Sequence, residues 1–424
     1  MSRGSVIMTS TLAIFISLVL VPMVPIKDAN AANIPPDPDT FLILMERQIT
    51  EDETSAAAYY AAIDPGRNKT TYADWLFETG FIDHPLDYSF SGPLTDNADA
   101  AVVHKNVTDL GLVRRMRVRC EPGCDHPDPD IYTVIENYLS FDDAAARVNR
   151  LTSVAMEWVS AKDTADPSSK FVLFYAFNEN DLREVNNSTG AMVPFAPDLD
   201  GRGSKVMPGV CNTCHGGAPE SLIDEVYAED GNTGALFLPL DLDNFAFDPH
   251  RPWLSREAQE PEYKKMNRIA LITHRATKKF DEEAGFSRLP AGHELIEGWY
   301  GGPGLPDAFF NGEFVPPGWL PPFAPNDAKE LYLGAIAPAC RACHAQQERS
   351  LDFGTYQGLM EFEDALQELV LRIECGVDDD SASRGKQEDN QAVMPLALET
   401  YEIFWETNQH QIFKDHIGEV ECED

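Results

Sequence analysis

The chain carries the stretch Cys340-Arg341-Ala342-Cys343-His344, and the same pattern occurs earlier as Cys211-Asn212-Thr213-Cys214-His215. In each copy two thiols lie one short turn apart and an imidazole follows directly, which is typical of covalent haem c attachment. The thiols of such a motif reach the two vinyl groups of one porphyrin, and the histidine becomes the proximal ligand of the iron. A thioredoxin-type redox pair or half of a zinc site also uses C-x-x-C, but neither accounts for a histidine after both pairs. We therefore expect two covalently bound haems.

The first 31 residues have the features of an export signal. Arg3 supplies a positive charge, residues 4–26 carry none, and Ala29-Asn30-Ala31 matches the small-residue pattern of a signal-peptidase site. An uncharged stretch of this length could also remain as a membrane anchor. Cleavage is favoured by Pro22, Pro25 and the alanines, so we expect a periplasmic or secreted bacterial protein without a stable membrane span. Export also suits haem c, which bacteria attach outside the cytoplasm.

The chain is strongly acidic, with 33 Lys and Arg residues against 70 Asp and Glu residues and a formal net charge of −37. Such a surface repels nucleic acid and anionic membranes, and it would steer a basic redox partner or a cationic molecule towards the protein. An alternative is that the acidity serves mainly to keep an exported protein soluble.

Four cysteines lie outside the two motifs, namely Cys120, Cys124, Cys375 and Cys422. In an oxidising compartment an even remainder indicates two disulfides. Pairing within each predicted domain gives Cys120–Cys124 and Cys375–Cys422, although three connectivities are formally open.

Hydrophobic periodicity divides the chain into an N-terminal domain, residues 32–200, and two haem regions. A helix is predicted at 54–62, and β-type segments follow between about 97 and 178, ending in the continuous apolar run 171–177. The N-terminal domain is therefore predicted to be α+β or mostly β.

The first haem c domain is predicted at 201–322, with an amphipathic helix at 258–274 and a Gly- and Pro-rich linker. The second haem c domain is predicted at 323–424, with a helix at 357–374 and a final helix after Met394. The expected fold class is thus multidomain, with two mainly α-helical haem domains after the N-terminal domain.

The arrangement of residues 325–410 resembles class I cytochrome c: a helix, C-x-x-C-H, a second helix, then a loop with Met394-Pro395 before a terminal helix. The resemblance implies that Met394 is the distal ligand opposite His344. A thioether in that position raises the reduction potential of the iron. The family more often has its proline elsewhere in the methionine loop. The first haem region is a weaker match that shares the attachment motif, and it too is expected to be cytochrome c-like.

The sixth ligand of the first haem stays open. Met266 follows His215 at nearly the interval that separates Met394 from His344, but it lies inside a predicted helix. His274 on the same helix, His250 in a turn, or an open coordination position are the alternatives.

These features indicate a di-haem c-type cytochrome that transfers electrons. The alternative is an enzyme similar to di-haem peroxidases or oxidases, in which the second haem feeds an open first haem. Residues 32–200 carry no recognisable catalytic motif, and a further possibility is that they bind a substrate or partner while the haems supply the electron path.

Overall fold

The structure, a computed structural model, describes residues 52–89, 96–160, 170–199, 204–217, 230–274, 279–281, 285–347, 351–363, 366–367 and 397–417. All of them belong to one structural unit, Pro35–Asp424. The predicted signal segment, Met394, Cys375 and Cys422 lie outside the described residues. No helix in the described part of the chain is long and apolar enough to cross a membrane.

A six-stranded antiparallel sheet with strand order β5-β4-β3-β2-β1-β8 forms the centre of the fold. Its strands are β1 Ala100–Asn106, β2 Val113–Glu121, β3 Asp130–Tyr138, β4 Thr152–Ser160, β5 Lys170–Phe177 and β8 Phe245–Ala246. Two short hairpins join β6 Glu184–Asn186 to β7 Met192–Pro194 and β9 Lys279–Asp281 to β10 Phe286–Arg288. Because β1 to β5 pair in sequence order, short connections suffice to build the sheet.

Side chains alternate between the two sides of this sheet, and cross-strand partners point to the same side. One side, which we call the arginine face, carries Arg115, its partner Glu136 and the next partner Ser153. The other side, which we call the motif face, carries Phe174 and its partner Met156. Both sides are covered, which explains why the apolar run in β5 is buried throughout.

Most of the remaining regular structure is helical. The helices are α1 Glu53–Ile63, α2 Tyr72–Glu78, α3 Phe141–Ala146, α4 Gly209–His215, α5 Arg256–His274, α6 Ala291–Trp299, α7 Ala328–Leu331, α8 Ala337–Ala339, α9 Arg341–His344, α10 Tyr356–Met360, α11 Leu398–Glu406 and α12 Gln409–Ile417. A π-helical turn, Tyr332–Ile336, connects α7 to α8. Asp52 caps α1, and Thr71 with Asp74 forms a capping box at α2.

Helix α1 covers the outer edge of the sheet. The backbone N–H groups of Phe174 and Ala176 in β5 donate to the hydroxyls of Tyr59 (2.8 Å) and Tyr60 (3.1 Å). Two tyrosines on one helix thereby satisfy donors that an edge strand would otherwise expose.

Helix α5 was expected at 258–274 and is observed at Arg256–His274. Tyr263, Met266 and Ile269 recur at helical spacing and are buried. The amide of Gln259 bonds the backbone of Val103 in both directions (2.6 and 2.9 Å), which ties the helix to β1.

Three apolar clusters lie in the described structure. The larger apolar cluster joins the sheet, α1, α2, α5 and α6 to Met207 and Val210 beside the first motif and to Ala345 after the second. The second joins α7, the π-helical turn and α10 to Tyr401, Phe404 and Phe413 from α11 and α12. The third is small and consists of Val113, Tyr138 and Ala144.

The expected fold class is wrong. The structure has one antiparallel sheet followed by a mixed helical region, and two mainly α-helical cytochrome c-like domains are not present among the described residues. The physical reason lies in the segment after the first motif. Its strand β8 pairs with β1, and its apolar residues join the core of the sheet instead of enclosing a separate helical core.

The predicted Cys120–Cys124 disulfide is confirmed, with an S–S distance of 2.10 Å. Asp99 lies beside it, and its carboxylate accepts from the backbone N–H of Cys120 (2.8 Å). Both sulfurs are consumed by the disulfide, so this group is a structural link and not a metal site.

Candidate functional site

The first motif, residues 211–215, lies within helix α4. A helix places residues i, i+3 and i+4 on one face, so Cys211, Cys214 and His215 share a face. The Nδ1 atom of His215 lies 2.7 Å from the carbonyl oxygen of Leu236. The ring also makes an edge contact with Phe174 of the sheet, with centroids 5.3 Å apart.

The second motif, residues 340–344, has the same helical spacing: Cys340 is the N-cap of helix α9, which ends at His344. The Nδ1 atom of His344 lies 2.8 Å from the carbonyl oxygen of Leu351. The ring of Phe353 stacks on the imidazole, with centroids 4.3 Å apart and planes inclined by 15°.

Both histidines are therefore held in the same tautomer. A carbonyl oxygen can only accept, so Nδ1 must carry the proton and Nε2 keeps its lone pair. Burial lowers the pKa of His215 to about 4 and lowers the pKa of His344 as well, so both rings are neutral at pH 7. A neutral imidazole whose Nδ1–H is held by a carbonyl is the form that binds a metal through Nε2.

The four motif cysteines form no disulfide with any described residue. Two thiols and one oriented imidazole on each helix face match the donor set that covalent haem needs. The residues present therefore fit the predicted cofactor at both motifs.

The two motifs contact each other, although 125 positions separate His215 from Cys340 in the printed sequence. The side-chain amide of Gln347, just after the second motif, donates to the carbonyl of Thr213 inside the first (2.6 Å). The thiol of Cys343 interacts with that of Cys214, and this interaction together with burial raises the pKa of Cys343 well above its ordinary value. The structure thus brings the two predicted sites together.

Glycine makes this contact sterically feasible. A Cβ atom on Gly216 would lie 1.9 Å from the carbonyl oxygen of Gln346, and one on Gly217 would lie 2.1 Å from the carbonyl oxygen of Thr233. Both glycines thus allow other parts of the backbone to approach closely.

A buried ion pair anchors the second motif. Arg341 donates from Nε (2.8 Å) to the carboxylate of Asp241, and its Nη2 lies 2.6 Å from the same oxygen. The guanidinium lies over the ring of Trp299, 5.3 Å from its centroid. Burial raises the pKa of Asp241, and Arg341 opposes that shift.

The candidate sixth ligands lie in different surroundings. Met266 is 3% exposed and belongs to the larger apolar cluster. His274 is 5% exposed; its Nε2 contacts the carbonyl of Phe237 (2.8 Å), and its Nδ1 has no hydrogen-bond partner among the described residues. His250 is exposed in the turn before α5, and Met394 lies outside the described residues. The interior of the described fold therefore holds Met266 and His274.

Sequence reasoning missed the residues that support the motifs: the acceptors Leu236 and Leu351, the bridging Gln347, and Asp241. The glutamine pair 346–347 directly after the second motif was the available signal, because two amides beside a predicted buried site need partners.

Comparison of the chain with protein-family models, curated proteins and solved structures yields no match.

Proposed function

We propose that the protein is an exported di-haem c-type cytochrome that transfers electrons. Cys211 and Cys214 would hold one haem, with His215 as its proximal ligand. Cys340 and Cys343 would hold the other, with His344 as its ligand. The observation that carries the proposal is the direct contact between the two motifs, bridged by Gln347.

Each bound haem supplies an iron that cycles between the ferric and ferrous states and so carries one electron. The chain's own residues orient and shield the site. The Leu236 and Leu351 carbonyls fix the imidazole tautomers, and Phe353 holds the His344 ring by stacking on it. Contact between motifs supports electron passage from one haem to the other within a single chain.

The expected electron donor or acceptor is a basic redox protein, because a chain with a formal net charge of −37 attracts positive surfaces. The same charge argues against nucleic acid as a partner. Periplasmic or secreted localisation follows from the N-terminal segment, and haem attachment outside the cytoplasm fits it.

The test is the number of haems per chain after expression with a bacterial haem c attachment system. We expect two covalent haems in the wild-type protein. One should remain when Cys211 and Cys214 are replaced by serine, and one when Cys340 and Cys343 are replaced. The matched control replaces Cys120 and Cys124, which removes two cysteines but should leave both haems in place.

Carbon monoxide separates the electron carrier from the peroxidase or oxidase alternative. If both haems are low-spin and the reduced protein does not bind carbon monoxide, neither iron offers an open position and the carrier is supported. Rapid uptake at the first haem would favour the enzyme. Fewer than two haems in the wild-type protein would reject the di-haem proposal.

A further inference from the structure

The arginine face of the sheet holds a buried charged cluster that the proposed electron transfer does not use. His215 contacts Phe174 on the motif face, so the sheet itself separates this cluster from the first motif. Glu136 is fully buried at the centre of the cluster. Its cross-strand neighbours on the same face are Arg115 on β2 and Ser153 on β4.

Glu136 is already supplied with donors. Its carboxylate accepts from the hydroxyls of Tyr72 (3.0 Å) and Tyr138 (3.2 Å), and from the guanidinium of Arg117 (3.2 Å). A longer contact of 3.5 Å joins it to Arg147. Any other positively charged side chain near Glu136 therefore needs a different negatively charged partner.

Positive groups outnumber negative ones around Glu136. The guanidinium groups belong to Arg115, Arg117, Arg147 and Arg150, and the carboxylates to Glu136, Asp96 and Asp181. The three arginines other than Arg115 make ion pairs with those carboxylates. Arg115 forms no ion pair with any described residue.

Arg115 is partly buried, and its surroundings disfavour its charge. Burial lowers its pKa, Glu136 opposes that effect, and the like charges of Arg117 and Arg147 add to the lowering. On the same face, but on the other side of Glu136 from Arg115, the hydroxyl of Ser153 is buried without a hydrogen-bond partner in the described structure. Partly buried charges in proteins are normally paired, so this group has unused capacity to bind an anion.

We propose that the arginine face binds a small oxyanion, a carboxylate or phosphate group, with Arg115 as its principal donor. The planar guanidinium matches the two oxygens of such a group and bonds it in a bidentate manner. An anion there would also bring the charge of the cluster to balance. In a chain that is acidic overall, a local positive excess of this kind would select small anionic molecules.

The experiment measures binding of succinate and of inorganic phosphate to the full-length mature protein by calorimetry, at constant ionic strength set with chloride. We expect saturable binding of at least one of them to the wild-type protein. Arg115→Gln should weaken it by about 10- to 100-fold, the loss expected for charge-assisted hydrogen bonds. Arg115→Lys keeps the charge but lacks the planar guanidinium. Its affinity for the anion should lie between those of the wild-type protein and Arg115→Gln.

The matched control is Arg119→Gln. Arg119 lies on the same strand and the same face, but it pairs with Glu121 (2.6 Å) and bonds the carbonyl of Thr79 (2.9 Å). The Arg119→Gln substitution should therefore leave anion binding unchanged. Absence of saturable binding to the wild-type protein would overturn the proposal, as would equal weakening by both Gln variants. Circular dichroism of each variant confirms that a loss of binding does not reflect a loss of fold.

Discussion

His215 and His344 each use one ring nitrogen to bond a backbone carbonyl, and this bond determines which nitrogen is available to a metal. The acceptors lie 21 and 7 residues downstream, at Leu236 and Leu351. Two motifs with different surroundings therefore arrive at the same tautomer. One such tautomer could arise by accident. The same tautomer at both motifs supports haem binding at each of them.

Gly216 is a residue whose replacement has a clear expected result. Its φ of 69° and ψ of −164° fall in a region that only glycine populates readily, and an added Cβ would collide with the Gln346 carbonyl. We expect Gly216→Ala to lower the free energy of unfolding by about 2–4 kcal/mol, measured by urea denaturation.

Gly190→Ala is the matched control for that experiment. Gly190 also has a positive φ, 82°, but an added Cβ would meet no atom within 4 Å. Gly190→Ala should lower the free energy of unfolding by about 1 kcal/mol, because only backbone strain contributes. Equal losses in the two variants would show that the contact with Gln346 contributes nothing.

At the scale of elements, the motif helices are too short to be stable alone. Helix α4 has 7 residues and α9 has 4, whereas isolated helices need about 12 or more. Their conformation must come from tertiary contacts. Asp241 anchors α9 through Arg341, and Gln347 connects the end of α9 to α4.

Gln347→Leu tests that connection, because leucine keeps the approximate size and removes the amide donors. We expect the free energy of unfolding to fall by about 1–2 kcal/mol. Amide hydrogen exchange in Gly209–His215 should become faster, since α4 loses a tie to its neighbour. The control is Gln411→Leu, which removes a bond to the exposed Asp415 (2.7 Å) and should alter neither measurement. Unchanged exchange in α4 would argue against the bridge.

The sheet should show a pH dependence that originates at Glu136. Burial alone would raise the pKa of this carboxyl, but Arg117, Arg147 and Arg115 outweigh burial and hold it at about 2, below its ordinary 4.5. The unfolded chain thus binds a proton more readily than the folded chain. The stabilisation, roughly 3 kcal/mol, is present above about pH 4.5 and is lost as the pH falls towards 2.

Comparison of Glu136→Gln with the wild-type protein isolates this contribution. The difference in unfolding free energy between the two should be largest near pH 6 and should shrink between pH 4.5 and 2.5. Urea denaturation at a series of pH values measures it. A difference that stays constant across this range would mean that Glu136 titrates alike in both states.

At the scale of the whole molecule, the sequence predicted features that depend on neighbouring residues, but not the contacts between residues far apart in the chain. The apolar run 171–177 lies in β5, and the spacing of Tyr263, Met266 and Ile269 marks α5. The Cys120–Cys124 disulfide could be predicted because its two cysteines are close to each other in the sequence. Each of these depends on residues close in sequence, where periodicity and spacing carry the information.

The fold class depended on contacts that no local pattern encodes. β8 is two residues long, yet its pairing with β1 joins the segment after the first motif to the sheet. Likewise 134 positions separate Gln347 from Thr213, and 100 separate Arg341 from Asp241. The sequence therefore predicted a separate haem domain for each motif, whereas the contacts between distant residues join both motifs to one fold.

The contact between the motifs has a consequence for the order of biogenesis. Under the proposed function, the thiols of Cys214 and Cys343, which interact with each other in this fold, must each form a bond to a porphyrin. Both thiols must be apart and accessible at that moment. Attachment would then occur on the newly exported, still extended chain, and final folding would wait until the last cofactor is in place.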